Sequence, residues 1–468
     1  MAMETDYLIV GAGASGLAFA DTLVSEADDV EVTLIDRQDA PGGHWLHSYP
    51  FLRLHSPSAY YGVNSAPLGQ DRIDETGDNA GYYERAAGHE VRDYFGEVAA
   101  NLESTGRVRI LTAHEQVGGG ADGESVRDLR TGSVRDVVVR RKLVDARYLE
   151  ASIPATHVRP FEVAPDARVV AVNDLPAAAD SASSFTVLGS GKTAADACSW
   201  LLDNDVDPDR IRWVRPRDMW FEDRAYFQPL DQVGNIMAGI AADAEAGASA
   251  TGLEDLFDRL EQSGRLNRID RSAPATMYRG TMLSARELER LRLIADVVRL
   301  GHVTRVERDR LVLSRGEVPT PPNALHVDCT ALGLANAPAR PIFEPDRIVI
   351  QSVRHNSPTF NAAFLAFVEA HREDDSEKNR LCPPNPYAST TADWPRMMSR
   401  TWRTELNWQR DPELMSWVSR SRLNLLGALP EHLSEEHTRA AVRSYVANIG
   451  PAIERLAGLP GSPSANPA

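Results

Sequence analysis

The chain is poor in whatever would staple it, anchor it in a membrane or draw it to polyanions. Its 468 residues hold three cysteines, Cys198, Cys329 and Cys382, too few and too widely spaced for a disulfide framework or a tetrahedral zinc site. There is no C-x-x-C pair, which removes a redox-active disulfide from the chemistry open to the chain. No apolar run approaches the length of about 18 residues that a membrane helix needs. The opening Met1 to Asp6 lacks the basic and apolar regions of an export signal, so the sequence reads as cytoplasmic. Positive charge is also in deficit: 50 Lys+Arg stand against 67 Asp+Glu, a formal charge of −17. That balance gives no global attraction to nucleic acid or to an anionic membrane surface. No His/Cys/carboxylate spacing suggests a metal site, and no G-x-S-x-G elbow suggests hydrolysis.

What is present is a pair of βαβ patterns. Tyr7 to Val10 is an apolar run of buried-strand type, Leu17 to Val24 is apolar at helical spacing, and Val30 to Ile35 alternates as a second strand. Between strand and helix lies Gly11-Ala12-Gly13-Ala14-Ser15-Gly16, a G-x-G-x-x-G in the strand-to-helix context that dinucleotide binding requires. Its glycines permit a tight turn, close approach of backbone to a pyrophosphate, and a helix packed hard on the strand. Asp36 follows Gly16 by 20 residues, at the place where an acid meets a ribose hydroxyl. Ser15 and Arg37 flank these positions and are counted with the site.

The second pattern runs Phe185 to Leu188, then Gly189-Ser190-Gly191-Lys192-Thr193-Ala194, a helix from Ala195 to Leu202, and a strand from Ile211 to Val214. This is the G-x-G-x-x-A variant. Gly191-Lys192-Thr193 also resembles the end of a P-loop, but position 186 is Thr where that motif needs glycine. Lys192 and Thr193 are candidates for contact with the pyrophosphate or the 2′-phosphate of a second dinucleotide, the alternative being solvated residues in the first turn of the helix. Arg215 stands 21 residues after Ala194, where Asp36 stands in the first unit, and with Arg217 it suits a ribose 2′-phosphate, favouring NADPH over NADH. Elsewhere, Val108 to Ala146 reads as an antiparallel meander with turns at Gly118-Gly119-Gly120 and Asp122-Gly123. Residues 230 to 300 read as mostly helical, strand texture returns at Leu325 to Val327, helix dominates from Phe360 to about Tyr445, and the Pro/Ser/Gly-rich tail from Gly458 reads as disordered. The aromatic groups Trp213, Trp220, Phe221, Tyr226, Phe227 and Trp394, Trp402, Trp408 suit core packing or the wall of a substrate cleft.

Two dinucleotide units in one chain, with Ala40-Pro41-Gly42-Gly43-His44-Trp45 just after Asp36 and Tyr49 to Pro57 beyond it, resemble the flavin-containing and Baeyer-Villiger monooxygenases. Asp328 to Gly333 is similar to a degenerate form of that group's return strand. The resemblance implies an α/β fold of two Rossmann-like domains, an FAD domain from 1–150 and 325–468 with helical C-terminal region, and an NAD(P)H domain from 151–324 inserted into it. It implies FAD on Gly11, Gly13, Gly16 and Asp36, with Gly43 and Trp45 lining the path to the flavin and Arg53, His55 and Ser56 near its ring. Arg53 and His55 are the expected catalytic hydrogen-bond donors. Thr359 and Asn361 lead a helix whose N-terminus would face the flavin pyrimidine. Gly189, Gly191, Lys192, Thr193, Arg215 and Arg217 would hold NADPH.

The activity implied is an NADPH-dependent monooxygenase using O₂ on a small organic molecule, through reduced flavin and a C4a-(hydro)peroxide. The group's fingerprint before the second glycine turn is missing, with Ile153 to Phe161 in its place and only His157 in common. That departure motivates an alternative: an FAD-linked oxidase or dehydrogenase reduced by its own substrate. No residue pattern speaks for or against a homo-oligomer.

Overall fold

The computed structural model describes residues 2–118, 123–335 and 337–459. Gly119, Gly120, Asp122 and the tail beyond residue 459 lie outside them. The first sheet is assembled from β1 (Met3–Val10), β2 (Val32–Ile35), β3 (Val108–Leu111), β4 (His114–Gln116), β5 (Glu124–Asp128) and β6 (Val134–Asp145) in the order β3-β2-β1-β6-β5-β4. β1 pairs parallel with β2 (Tyr7↔Val32 to Val10↔Ile35) and with β6. Apolar runs buried on both faces suit such a central parallel strand. Helices α1 (Ala14–Glu26) and α2 (Gly88–Ser104) connect it.

The chain then builds a second unit. β7 (Glu162–Val163), β8 (Val169–Ala171) and the short α3 (Leu175–Ala178) lead to β9 (Ser184–Leu188), α4 (Lys192–Asp203) and β10 (Ile211–Val214). After β11 (Asp218–Asp223) come α5 (Val233–Ser249), α6 (Leu253–Gln262), β12 (Leu266–Asn267), β13 (Ala275–Leu283), α7 (Ala285–Leu291) and β14 (Asp296–Val298). β15 (Val303–Val306), β16 (Arg310–Leu313) and β17 (Gly316–Pro319) precede β18 (Ala324–Asp328). The parallel sheet of this unit has the order β14-β10-β9-β18-β8, with β12-β11-β13 and β17-β16-β15-β7 as smaller sheets.

β19 (Arg347–Val349) returns the chain to the first sheet by pairing parallel with β6. The second parallel sheet is therefore an insertion into the first. Helices α8 (Pro358–His371), α9 (Asp375–Leu381), α10 (Trp394–Trp408), α11 (Pro412–Arg420) and α12 (Glu436–Gly458) complete the chain. α8 is apolar all round and buried from Thr359 to Glu369. Phe364 packs on Trp408 with ring centres 4.4 Å apart, and Phe367 stacks on Trp417 at 4.9 Å.

Three expectations are corrected. The stretch from Val108 is not one antiparallel meander: β3 is a parallel edge strand on β2 (Val32↔Val108), and only β4, β5 and β6 form antiparallel ladders. Residues 230 to 300 contain β12, β13 and β14 as well as helix, because Ala275 to Leu283 finds a partner in β11 that no local pattern announces. Gly458, read as the start of the tail, is the last residue of α12. Of the aromatic groups, Trp213, Trp394, Trp402 and Trp408 are each at most 2% exposed and belong to the core, whereas Phe227 reaches the cleft described below.

Trp408 is 1% exposed and its indole N–H donates to the Leu381 carbonyl at 2.8 Å. Trp408→Ala is expected to cost about 3–5 kcal/mol of stability, read as a lowered urea midpoint by tryptophan fluorescence and circular dichroism.

Candidate active site

Glycine at position 16 is dictated by backbone contact. A Cβ there would lie 1.9 Å from the Gly11 carbonyl oxygen, and Gly11 itself sits at φ +108. No side chain can enter, so α1 starts hard against the end of β1. Gly13 is the N-cap of α1, and no side chain caps the helix. Its first N–H groups are thus left without intrahelical or side-chain partners, which is what an anionic ligand needs. Asp36, at the end of β2, accepts from the Ala12 N–H at 2.7 Å and the Gln38 N–H at 2.8 Å. Each oxygen keeps acceptor capacity toward the cleft.

The second turn repeats the arrangement with a different contact. A Cβ on Gly189 (φ +130) would lie 2.5 Å from the Cys329 carbonyl oxygen at the end of β18. Gly191 caps α4, again without a side-chain hydrogen bond. A third uncapped helix N-terminus belongs to α8, whose N-cap is Ser357. The Ser357 and Thr359 hydroxyls are buried and have no hydrogen-bond partner among the described residues.

Ala14, Ser15, Gly191, Lys192, Thr193, Ser357 and Pro358 all line one continuous cleft of about 1120 Å³. Single small-molecule sites run at roughly 300–1,000 Å³, so this one exceeds the usual size. Three helices of 13, 12 and 14 residues direct unsatisfied N–H groups and the positive ends of their dipoles at it. The glycine cradles, the carboxylate of Asp36 and the unpartnered hydroxyls fit two dinucleotides.

The two units meet through a segment of the first. The Tyr49 hydroxyl donates to Asp196 on α4 at 2.6 Å, and Phe51 stacks on Trp200 at 5.4 Å. Asp196 also pairs with Lys192, one turn before it on α4. Just beyond, the fully buried Arg224 donates to the His55 carbonyl at 2.9 Å and pairs with Glu287 at 2.6 Å; Arg85 lies 3.6 Å from Glu287. Burial alone would raise the Glu287 carboxyl, but the Arg224, Lys192 and Arg85 charges draw it down to about 2. Burial, followed by the Lys192, Arg224 and Arg85 charges, pushes the His55 imidazole down to about 3. It is neutral at neutral pH, and its buried Nδ1 has no hydrogen-bond partner among the described residues.

Most residues named from the sequence meet at this cleft. Gly11, Gly13, Ser15, Asp36, Arg37, Gly43, Trp45, Arg53, His55 and Ser56 line one side, and Gly189, Gly191, Lys192, Thr193 and Arg217 another. Arg53 donates to the Arg85 carbonyl at 3.0 Å, Trp45 donates its indole N–H to the Tyr61 hydroxyl at 2.8 Å, and Arg37 pairs with Glu150. Asn361 reaches the cleft, but its amide is committed: its oxygen accepts from the Arg354 N–H at 2.8 Å and its Nδ2 donates to the Arg354 carbonyl at 2.7 Å. It pins the lead-in to α8. Gly16 and Thr359 stand behind the lining.

Arg215 does not reach the cleft. It shares a strand face with Trp213, lies with its guanidinium carbon 5.0 Å from that ring centre, pairs with Asp218 at 3.3 Å and is 3% exposed. Alternation along β10 carries it inward. The cations at that end are Arg217 and Arg279, with His302 beside them. Proximity to Arg217 adds to burial in lowering both Arg279 and His302. Arg279, Arg224, Glu287 and Tyr49 were not singled out from the sequence. They sit on segments with no spacing signal, and only the fold brings them together.

A family model for an NAD(P)-binding Rossmann-like domain matches residues 9–62. The chain is 44% identical over 463 residues to the uncharacterized protein Rv2000 of Mycobacterium tuberculosis, and equally to Mb2023 of Mycobacterium bovis; the match covers 98% of this chain and 84% of each relative. A probable FAD-binding monooxygenase, AlmA, of an Acinetobacter species is 27% identical over 119 residues, 24% of this chain and 22% of that protein. In fold the chain resembles an oxidized steroid monooxygenase bound to NADP, with TM-score 0.50 and 13% identity over 79% of this chain and 84% of that one. The fold is that of flavoproteins with two dinucleotide-binding domains.

A histidine whose folded pKa lies below its unfolded value of 6.5 takes up protons on unfolding, so it makes stability fall as pH drops from about 6.5 toward 3. His55→Gln is expected to remove that component. Between pH 7.5 and 5.0 the wild-type melting temperature should fall further than that of the variant, by the equivalent of on the order of 1–2 kcal/mol, in paired thermal melts.

Proposed function

The chain belongs to one protein family with the two mycobacterial proteins it matches along 98% of its length, and from its fold and cleft we propose that it is an FAD-dependent oxidoreductase. It takes electrons from NADPH and acts as a monooxygenase, with O₂, on a small organic molecule. The observation that carries this reading is the convergence of three uncapped helix N-termini, two of them behind glycine turns, on one cleft.

The first turn and α1 are suited to the pyrophosphate of FAD, with Asp36 on the adenosine ribose. The N-terminus of α8, with Ser357, faces the part of the cleft where negative charge on a reduced flavin would be stabilised by the helix dipole. The second turn and α4 are suited to the pyrophosphate of NADPH. Its 2′-phosphate falls to Arg217 and Arg279, since Arg215 is held by Asp218. Guanidinium groups bind phosphate through paired, charge-assisted hydrogen bonds. FAD, when bound, supplies the electron acceptance and oxygen activation that no side chain can. The protein's contribution is orientation and exclusion of water. Neutral His55, whose buried Nδ1 has no partner among the described residues, is a hydrogen-bonding group at the cleft wall, and Arg53 on the same segment is the available cationic donor.

Anaerobic titration of the purified protein with NADPH tests the reading. Bleaching of the visible flavin band by stoichiometric NADPH is expected; a bound flavin that NADPH leaves oxidised would shift the account to an oxidase reduced by its own substrate. Arg217→Ala is expected to weaken NADPH by about tenfold, ~1.4 kcal/mol, while leaving NADH within about twofold. Equal losses for both in the same titration would remove the 2′-phosphate role.

A further inference from the structure

A further part of the cleft lining is made by Met277, Thr281 and Met282 of β13, by Phe227 and by Asn356 ahead of α8. β13 places Arg279 beside Arg217, at the second dinucleotide unit. The rest of this wall carries no charged side chain, and its one side-chain amide is Asn356.

The amide is held with unusual care. Asn356 stands in the left-handed region at φ +53, opposite Gly280 at φ +61. A Cβ on Gly280 would lie 2.1 Å from Asn356 Oδ1, so glycine is what lets the amide lie against β13. Nδ2 donates to Glu222 Oε2 at 3.1 Å. Glu222 is 1% exposed; its other oxygen accepts the Tyr278 hydroxyl, and Arg265 lies 3.8 Å away. Arg265 is itself paired with buried Asp243 at 3.1 Å. Two carboxylates thus share one arginine behind the wall, an expensive arrangement in a low-dielectric interior. Its end toward the cleft is the Asn356 amide. The second N–H and Oδ1 of that amide make no other hydrogen bond among the described residues. An oriented amide with a free donor and acceptor discriminates against ligands that leave it unpaired, and once Arg217 and Arg279 are occupied by a dinucleotide phosphate, a charged ligand group beside Asn356 would lose hydration without an ionic partner on this wall.

We propose that Asn356 is a specificity-determining residue, pairing with the single hydrogen-bonding group of a neutral, otherwise apolar substrate, and that buried Glu222, with Tyr278, is the positioning residue that orients it. The inference rests on the flavoprotein reading, and its test separates the two. The FAD-loaded protein, with NADP⁺ present to occupy Arg217 and Arg279, is titrated with cyclohexanone, cyclohexanecarboxylate and cyclohexylammonium, following perturbation of the flavin spectrum. The ketone is expected to bind at least about tenfold more tightly than either ion. Asn356→Leu should lose about tenfold for the ketone. Glu222→Met should reproduce that loss, while Glu222→Gln, which keeps an acceptor for Asn356, restores affinity to within about twofold. All variants should retain FAD. If Glu222→Met does not fold, Asn356→Leu and the probe series decide. A wild-type protein that holds FAD and does not discriminate among the probes, or an Asn356→Leu variant that binds the ketone as the wild type does, overturns the inference. A protein that holds no FAD overturns the reading beneath it.

Discussion

At Gly16 the backbone of α1 passes so close to the Gly11 carbonyl that even a methyl group, 1.9 Å from that oxygen, has no room. This contact sets where α1 begins and aims its N-terminus past the end of β1. The second unit reaches the same result by another route: Gly189 makes room for the Cys329 backbone at the end of β18, and Ala194, fully buried, takes the helix-packing position. With α8 fixed by Asn361 and by its aromatic packing, the three helix starts are rigidly held around one space. The cleft is therefore a property of backbone geometry before any side chain enters it.

The electrostatics follow from that geometry. A chain with formal charge −17 still presents a cleft suited to phosphates, because the positive potential comes from unsatisfied N–H groups and from a few arginines that have no acidic partner among the described residues. Pairing decides which arginines remain available. Arg215, Arg224 and Arg265 are buried against Asp218, Glu287 and Asp243, whereas Arg217 and Arg279 line the cleft. The buried Arg224–Glu287 pair also ties the units together, Arg224 donating to the His55 carbonyl and Glu287 lying by Arg85, and the arginines that line the cleft mark where a ligand's charge would lie.

Features that depend on local chemistry were legible in the sequence. A glycine turn between an apolar run and a helical pattern is readable because strand, turn and helix are contiguous, and Asp36 is readable because strand length fixes its distance from Gly16. The stretch Asp328 to Gly333, read as similar to a return strand, follows β18 of the second sheet, and the chain rejoins the first sheet only at β19. What could not be read depends on tertiary pairing. β11 and β13 are separated by two helices, and β3 became a parallel edge strand although its composition suits either direction. Arg215 occupied the right position in the sequence, but its strand alternation, visible only once β10 had neighbours on both faces, carried it inward. The Glu222, Tyr278 and Asn356 cluster joins residues 222 to 356 and has no spacing at all.

The central claim is that one chain holds two dinucleotides at once in a single cleft. The most direct measurement is calorimetric titration of the FAD-loaded protein with NADP⁺, alongside quantitation of the flavin released on heating. The account predicts one FAD per chain, and one further NADP⁺ bound without release of that FAD. NADP⁺ that displaces FAD, or a chain that binds a single dinucleotide in total, would contradict it.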